Sequence, residues 1–223
     1  MEISFLFRIF VSKFKFMEQR TIEELVQYHC KPYLYDNHLF QQVYEEILTF
    51  SYWVAGFKPH NILEVGFKGS TFHIFSELST GKKAAVDIFD EGRVKTAHYM
   101  MYGHDFKLFI ENSQTIQTRD KVKSFCPQYD LIFIDGDHSY EGVKKDFELY
   151  KSLLSPRGFV VFHDIDPDHI FKGNKGGGDV WKFWQDLNEG TKTNIIASKS
   201  SGKIKVFGQP EHFGGIGLWQ PNK

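Results

Sequence analysis

Residues 129–164, "YDLIFIDGDHSYEGVKKDFELYKSLLSPRGFVVFHD", decide the fold. The stretch begins and ends in short runs, "YDLIFID" and "GFVVFHD", that are apolar at successive rather than alternate positions. Such runs suit strands buried on both faces. Between them, "YEGVKKDFELYKSLL" puts Val143, Phe147, Tyr150 and Leu154 on one stripe and turns its lysines away, the pattern of an amphipathic helix. Strand, helix and strand in this form imply a parallel sheet covered on both sides. Acids collect where each strand runs out.

The same grammar extends outward. "NILEVG" (61–66), "KAAVDIF" (83–89) and "FKLFIEN" (106–112) are further short apolar runs ending in acidic or polar residues. Before them, "TIEELVQYHC" opens with Thr21 and Glu24 at capping-box spacing. A second helix reads through "HLFQQVYEEILTFSYWVAGF", with Leu39, Val43, Ile47 and Phe50 on one side. After "WKFWQDL", read as another helix, "TNIIAS" (193–198), "KIKVFG" (203–208) and "GIGLWQ" (215–220) look like antiparallel additions at the far edge. The expectation is an α/β domain with a doubly wound, mostly parallel seven-stranded sheet and antiparallel C-terminal edge strands. Residues 1–58 form a helical N-terminal cap, residues 59–223 the core, and 1–223 a single domain. There is no repeat, low-complexity tract or linker.

Composition narrows the partners. The 223 residues carry a net charge of −1 and no long basic run, so no nucleic-acid partner is expected. Cys30 and Cys126 stand far apart in no metal or redox spacing, which suits a reduced, cytoplasmic protein. "MEISFLFRIFVSKFKF" is apolar, but Arg8, Lys13 and Lys15 keep it short of the ~20 residues of a membrane span. It reads as an amphipathic packing segment or as residues ahead of a true start at Met17, with a membrane-surface helix as the alternative. A homodimer is left open.

In a sheet of this kind the ligand sits beyond the carboxyl ends of the strands. At the first, "ILEVGFKGST" supplies Gly66 and Gly69 for a tight turn, then Ser70 or Thr71 to cap a helix whose free N–H groups face the cleft. Glu64 precedes the glycines, and the spacing matches neither a G-x-G-x-x-G fingerprint nor a P-loop. Asp87 ends the second strand, where an acid can accept hydrogen bonds from both hydroxyls of a ribose. Asp135 and Asp164 end the fourth and fifth strands. As neighbours ~4.8 Å apart, these would bring two carboxylates together, a repulsion that Mg²⁺ or another divalent cation would relieve. Asp137 is either a base or, like Ser139, a cap for the next helix. His138 is a second candidate base or a loop residue, and His163 a packed core histidine or part of the acidic group. Gly176–Gly178 form either a lid or a plain connection; Trp181 and Trp184 read as core rather than a sugar-stacking platform.

"LEVGFKGST", "VDIFD", "LIFIDGDHSYEGVKKDFELY", "LLSPRGFVVFHDI" and "GGDVWKFW" together resemble the class I S-adenosylmethionine (SAM)-dependent methyltransferases, which have a Rossmann-like fold. More narrowly, they resemble the methyltransferase domain family 24, whose fourth strand ends in I-D-G-D-H-S-Y-E. The resemblance covers residues 61–184. It implies that Glu64, Gly66, Gly69 and Ser70 border the methionine part of SAM, with Asp135 also lining that site. It implies further that Asp87 holds the ribose and that Asn112 and Ser113 lie beside the adenine, although an ordinary helix cap would also account for that pair. Metal-dependent sugar O-methyltransferases that this chain resembles use the first aspartate of D-G-D as a ligand, the second as base, and two adjacent acidic or amide residues after the fifth strand. Asp135 and Asp164 are then ligands and Asp137 the base. Ile165 stands where the third ligand belongs, with His163 or Asp166 as substitutes. The expected activity is methyl transfer from SAM to the oxygen of a sugar or other hydroxylated small molecule. The alternatives are a catalytically silent SAM-binding partner protein and a nucleotide-cofactor oxidoreductase.

Overall fold

In a computed structural model, residues 20–30, 43–67, 69–89, 103–167, 178–196 and 214–222 are described. The first helix, α1 (Ile22–Cys30), starts at the expected box: the Thr21 N–H donates to Glu24 Oε2 at 2.9 Å and the Glu24 N–H to Thr21 Oγ1 at 3.3 Å. α2 (Tyr44–Phe57) buries Ile47, Phe50 and Val54 at helical spacing and stops at Lys58, whose left-handed backbone precedes Pro59.

The core then alternates. β1 (Ile62–Val65) leads into α3 (Ser70–Glu77), followed by β2 (Lys83–Asp87) and β3 (Phe106–Ile110). Next come α4 (Ile116–Phe125), β4 (Tyr129–Ile134), α5 (Tyr140–Tyr150) and β5 (Leu154–His163), then α6 (Val180–Asp186), β6 (Thr191–Ile195) and β7 (Ile216–Gln220). The sheet order is β3-β2-β1-β4-β5-β7-β6, parallel from β3 to β5, with β7 antiparallel to both of its neighbours. Strand order reverses between β1 and β4, which places a crevice at their carboxyl ends.

Alternation along each strand explains why the runs are apolar throughout. Ile132 and Ile134 face one core with Phe147, Tyr150, Phe183 and Trp184, while Leu131 and Phe133 face another with Phe50, Val54, Phe72 and Phe75. The second core is where α1 and α2 cover the sheet.

Two boundaries differ from the sequence expectation. α5 ends at Tyr150, and a 3-10 turn (Lys151–Leu153) delivers Leu154 as the first residue of β5. β6 starts two residues before "TNIIAS", since an edge strand with its side chains largely exposed carries no apolar register to read. The N-terminal segment with Met17, Leu39, most of the glycine-rich segment and "KIKVFG" lie outside the described residues. Among the described residues, no helix is long and apolar enough to cross a membrane.

Candidate active site

The turn after β1 is fitted directly against the loop after β4. Gly66 has φ 91°, and a Cβ there would lie 2.1 Å from the Asp135 carbonyl oxygen, so only glycine closes this approach. Gly69, at φ 97°, takes the cap position of α3 that was expected of Ser70 or Thr71. The side chain of Ser70 is outside the described residues. Thr71 turns inward instead, and its hydroxyl donates to Glu64 Oε1 at 2.9 Å, which fixes that buried carboxylate at the end of β1.

Asp87 lies buried at the end of β2, its Oδ1 accepting the Phe89 N–H at 2.8 Å. After β3, Asn112 Oδ1 accepts the Gln114 N–H at 2.8 Å in a local turn, and Tyr150 donates to the Ser113 carbonyl at 3.0 Å. Thr115, not Asn112 or Ser113, caps α4.

The acids after β4 and β5 divide into two settings. Asp135 and Asp164 are 5% and 4% exposed and share two imidazoles. His138 sets Nε2 3.1 Å from Asp135 Oδ1 and Nδ1 3.3 Å from Asp164 Oδ2. His163 lies buried against the same pair, its Nδ1 3.4 Å from Asp135 Oδ1 and 3.1 Å from Asp164 Oδ1. Burial works against charge on His163, yet the Asp164 and Asp135 carboxylates outweigh it and hold its pKa well above the ordinary value. Asp164 itself takes φ 64°, a costly conformation for a residue with a side chain.

Asp137 is exposed and bonded elsewhere. Its Oδ1 accepts the Ser139 N–H at 2.9 Å and its Oδ2 accepts from Gln114 Nε2 at 2.9 Å. The Ser139 N–H bond is the main cause holding its carboxyl below the usual range. Ser139 caps α5 through the Gly142 N–H, so the capping role belongs to it. The Asp166 N–H donates to the Gly214 carbonyl at 3.0 Å. The Asp179 N–H donates to the His138 carbonyl at 2.8 Å, so the end of the glycine-rich segment returns to the loop carrying His138. Trp184 is buried and donates to Asn194 Oδ1 at 3.0 Å, in keeping with a core role.

Asp135, His138 and Asp164 each offer one ligand atom, all within 4.8 Å of one another. Two carboxylates and an imidazole so placed fit a divalent cation. Ile165, at the expected third place, is buried in the apolar core.

Sequence reasoning missed three residues. Gln114 ties the loop after β3 to Asp137. Asp146 of α5 is wholly buried, with Oδ2 3.6 Å from where a Gly136 Cβ would sit. Burial lifts its pKa to about 7, with the Ser113 hydroxyl opposing and Asp137 adding. Its position three after Val143 and four before Tyr150 was the available signal. Glu46 of α2, also buried, accepts the Gly215 N–H at 2.7 Å. A cavity of about 510 Å³ lies at the opposite ends of the strands, between residues such as His60, Lys83 and His104, away from this cluster.

Residues 63–165, just under half of the chain, match the family Methyltransf_24, described as a methyltransferase domain. The matched segment runs from β1 through β5 of the sheet. The O-methyltransferase TomG from Streptomyces achromogenes, solved in complex with SAM, is similar over 92% of both chains, with TM-score 0.62 and 16% identity. The Podospora anserina methyltransferase PaMTH1, solved with SAH bound, is similar over 99% of this chain and 97% of its own, with TM-score 0.62 and 16% identity. An uncharacterized protein of Sinorhizobium fredii (strain NBRC 101917 / NGR234), y4gI, is 28% identical over 152 residues, 62% of this chain. The chain spans 16% of the length of the curated relatives it matches.

Proposed function

We propose that this domain transfers the methyl group of SAM to a hydroxyl oxygen of a small molecule, a sugar or another hydroxylated acceptor. The observation that carries the reading is the seating of Gly66 on the Asp135 carbonyl, which joins the cofactor turn to the buried Asp135–Asp164 pair. SAM supplies a methyl group on a sulfonium, so the protein has to align the transfer and remove one proton. On this reading Asp87 accepts the ribose hydroxyls and Asn112 and Ser113 flank the adenine. Glu64, Gly66, Gly69, Ser70 and Asp135 border the methionine part. The acceptor hydroxyl belongs at the Asp135–Asp164 end; these two aspartates would hold a divalent cation, which when bound would lower a hydroxyl pKa.

Proton removal is assigned to Asp137, an exposed carboxylate two residues after Asp135 on the same loop. His138 has both ring nitrogens against carboxylates, which disfavours it as the acceptor of a substrate proton.

Incubation with methyl-labelled SAM and a panel of sugars and hydroxylated small molecules is expected to yield O-methylated product. Transfer to nitrogen acceptors alone would contradict the reading. Tight SAH binding without transfer to any acceptor would favour the silent SAM-binding alternative. Asp137→Asn should lower kcat by roughly 10²- to 10⁴-fold with SAH affinity little changed; wild-type turnover removes Asp137 as the base.

A further inference from the structure

Resting on the reading that Asp135 and Asp164 hold a divalent cation, we infer that His138 is the third protein donor. The site then selects a later first-row cation, of the Mn²⁺ to Zn²⁺ series, over Mg²⁺. The sequence leaves the neighbouring place without a donor, since Ile165 is 2% exposed and packs into the core. Asp166 reaches the region through its backbone N–H, bonded to Gly214. His138 is positioned differently. Its ring nitrogens stand 3.1 Å and 3.3 Å from the two carboxylates, and its side chain is 29% exposed. One of the two ring nitrogens would bind, and one donor atom from each of Asp135, His138 and Asp164 lies within 4.8 Å of the others, near the ~3 to 4 Å between donors held at about 2.1 Å around one ion. His163, by contrast, is buried to 4% exposure with Nδ1 3.4 Å and 3.1 Å from the two carboxylates, which suits a residue that orients them.

Swapping one oxygen donor for an imidazole changes the preference. Mg²⁺ takes oxygen ligands in a strict octahedron and gives up water reluctantly, whereas imidazole suits Zn²⁺ and the later first-row ions. Carboxylate sites also favour later ions to some degree, so the diagnostic quantity is how the ratio of affinities changes when the nitrogen is removed.

The experiment is calorimetric titration of the untagged, SAH-loaded protein with Mg²⁺, Mn²⁺ and Co²⁺, alongside the visible spectrum of the Co²⁺ form. Wild type should bind Co²⁺ at least about tenfold more tightly than Mg²⁺. His138→Asp, which supplies an oxygen in place of the nitrogen, should cut that ratio about tenfold or more and shift the Co²⁺ absorption. His138→Asn should weaken Co²⁺ more than Mg²⁺; unchanged SAH affinity shows that both variants are folded. Equal affinities in wild type, or a Co²⁺ spectrum unmoved in both variants, overturns the inference and leaves a cation on Asp135 and Asp164. No binding of any of the three ions to SAH-loaded protein overturns the inference and the cation reading together, while methyl transfer is judged by the labelled-SAM assay.

Discussion

The two halves of the cleft are built by different means. On the β1–β3 side, shape comes from the backbone: Gly66 and Gly69 turn the chain, and single carboxylates, Glu64 and Asp87, are each pinned by a local donor. On the β4–β5 side, four ionisable groups crowd together: two buried aspartates and two histidines within 3.1 to 3.4 Å of them. The first half keeps its carboxylates apart, while the second brings two of them together against two imidazoles. On the proposed function, binding and chemistry would fall on separate strands of the crevice, coupled where Gly66 meets the Asp135 carbonyl.

The strongest way to break this division is at the coupling point. Gly66→Ala drives a methyl group into the Asp135 carbonyl at a backbone angle that alanine rarely adopts. It should abolish both SAH binding and turnover, measured by calorimetry and by labelled methyl transfer. Near-normal function would mean that the halves are not tied there.

Asp87→Ala tests the recognition half alone. Losing charge-assisted hydrogen bonds to two hydroxyls should weaken SAH on the order of a hundredfold. The protein should keep its melting temperature and any cation affinity, and unchanged SAH affinity would remove Asp87 from the ribose site.

The smallest effect probes the ground beneath the loop joining the halves. Asp146 has its folded pKa raised from 3.8 to about 7, chiefly by burial. Between these values the folded protein holds a proton that the unfolded chain has released, so this group's contribution to stability falls as pH rises through the window and levels off above about 7. Asp146→Asn should therefore flatten the decline and raise the melting temperature at pH 8 by a few degrees, with little change near pH 4. A melting curve at pH 8 no higher than wild type would contradict the burial of a charge there.

The sheet was legible because period and burial agree: strands covered on both faces read as unbroken apolar runs, and strand ends therefore announced Glu64, Asp87, Asp135 and Asp164. The edge strand β6 was misplaced by two residues because its side chains face solvent and leave no apolar rhythm. The spacing of Asp146 marked it as inward-facing, but a carboxylate among lysines reads first as part of a polar face. Glu46 had no local signal, because its partner Gly215 lies 169 residues away. The orientation of His138 toward both aspartates likewise depends on β4 and β5 lying side by side, a relation that no short motif contains.

That distant contact bears on how the protein is made. Glu46 receives the Gly215 N–H, and the Gly214 and Gly215 carbonyls in turn receive the N–H groups of Asp166 and Ile165, next to Asp164. During synthesis, the strands that would cradle SAM can pair long before residue 214 emerges. The turn after β5 that carries Asp164 gains these partners only once residues 214 and 215 have been made.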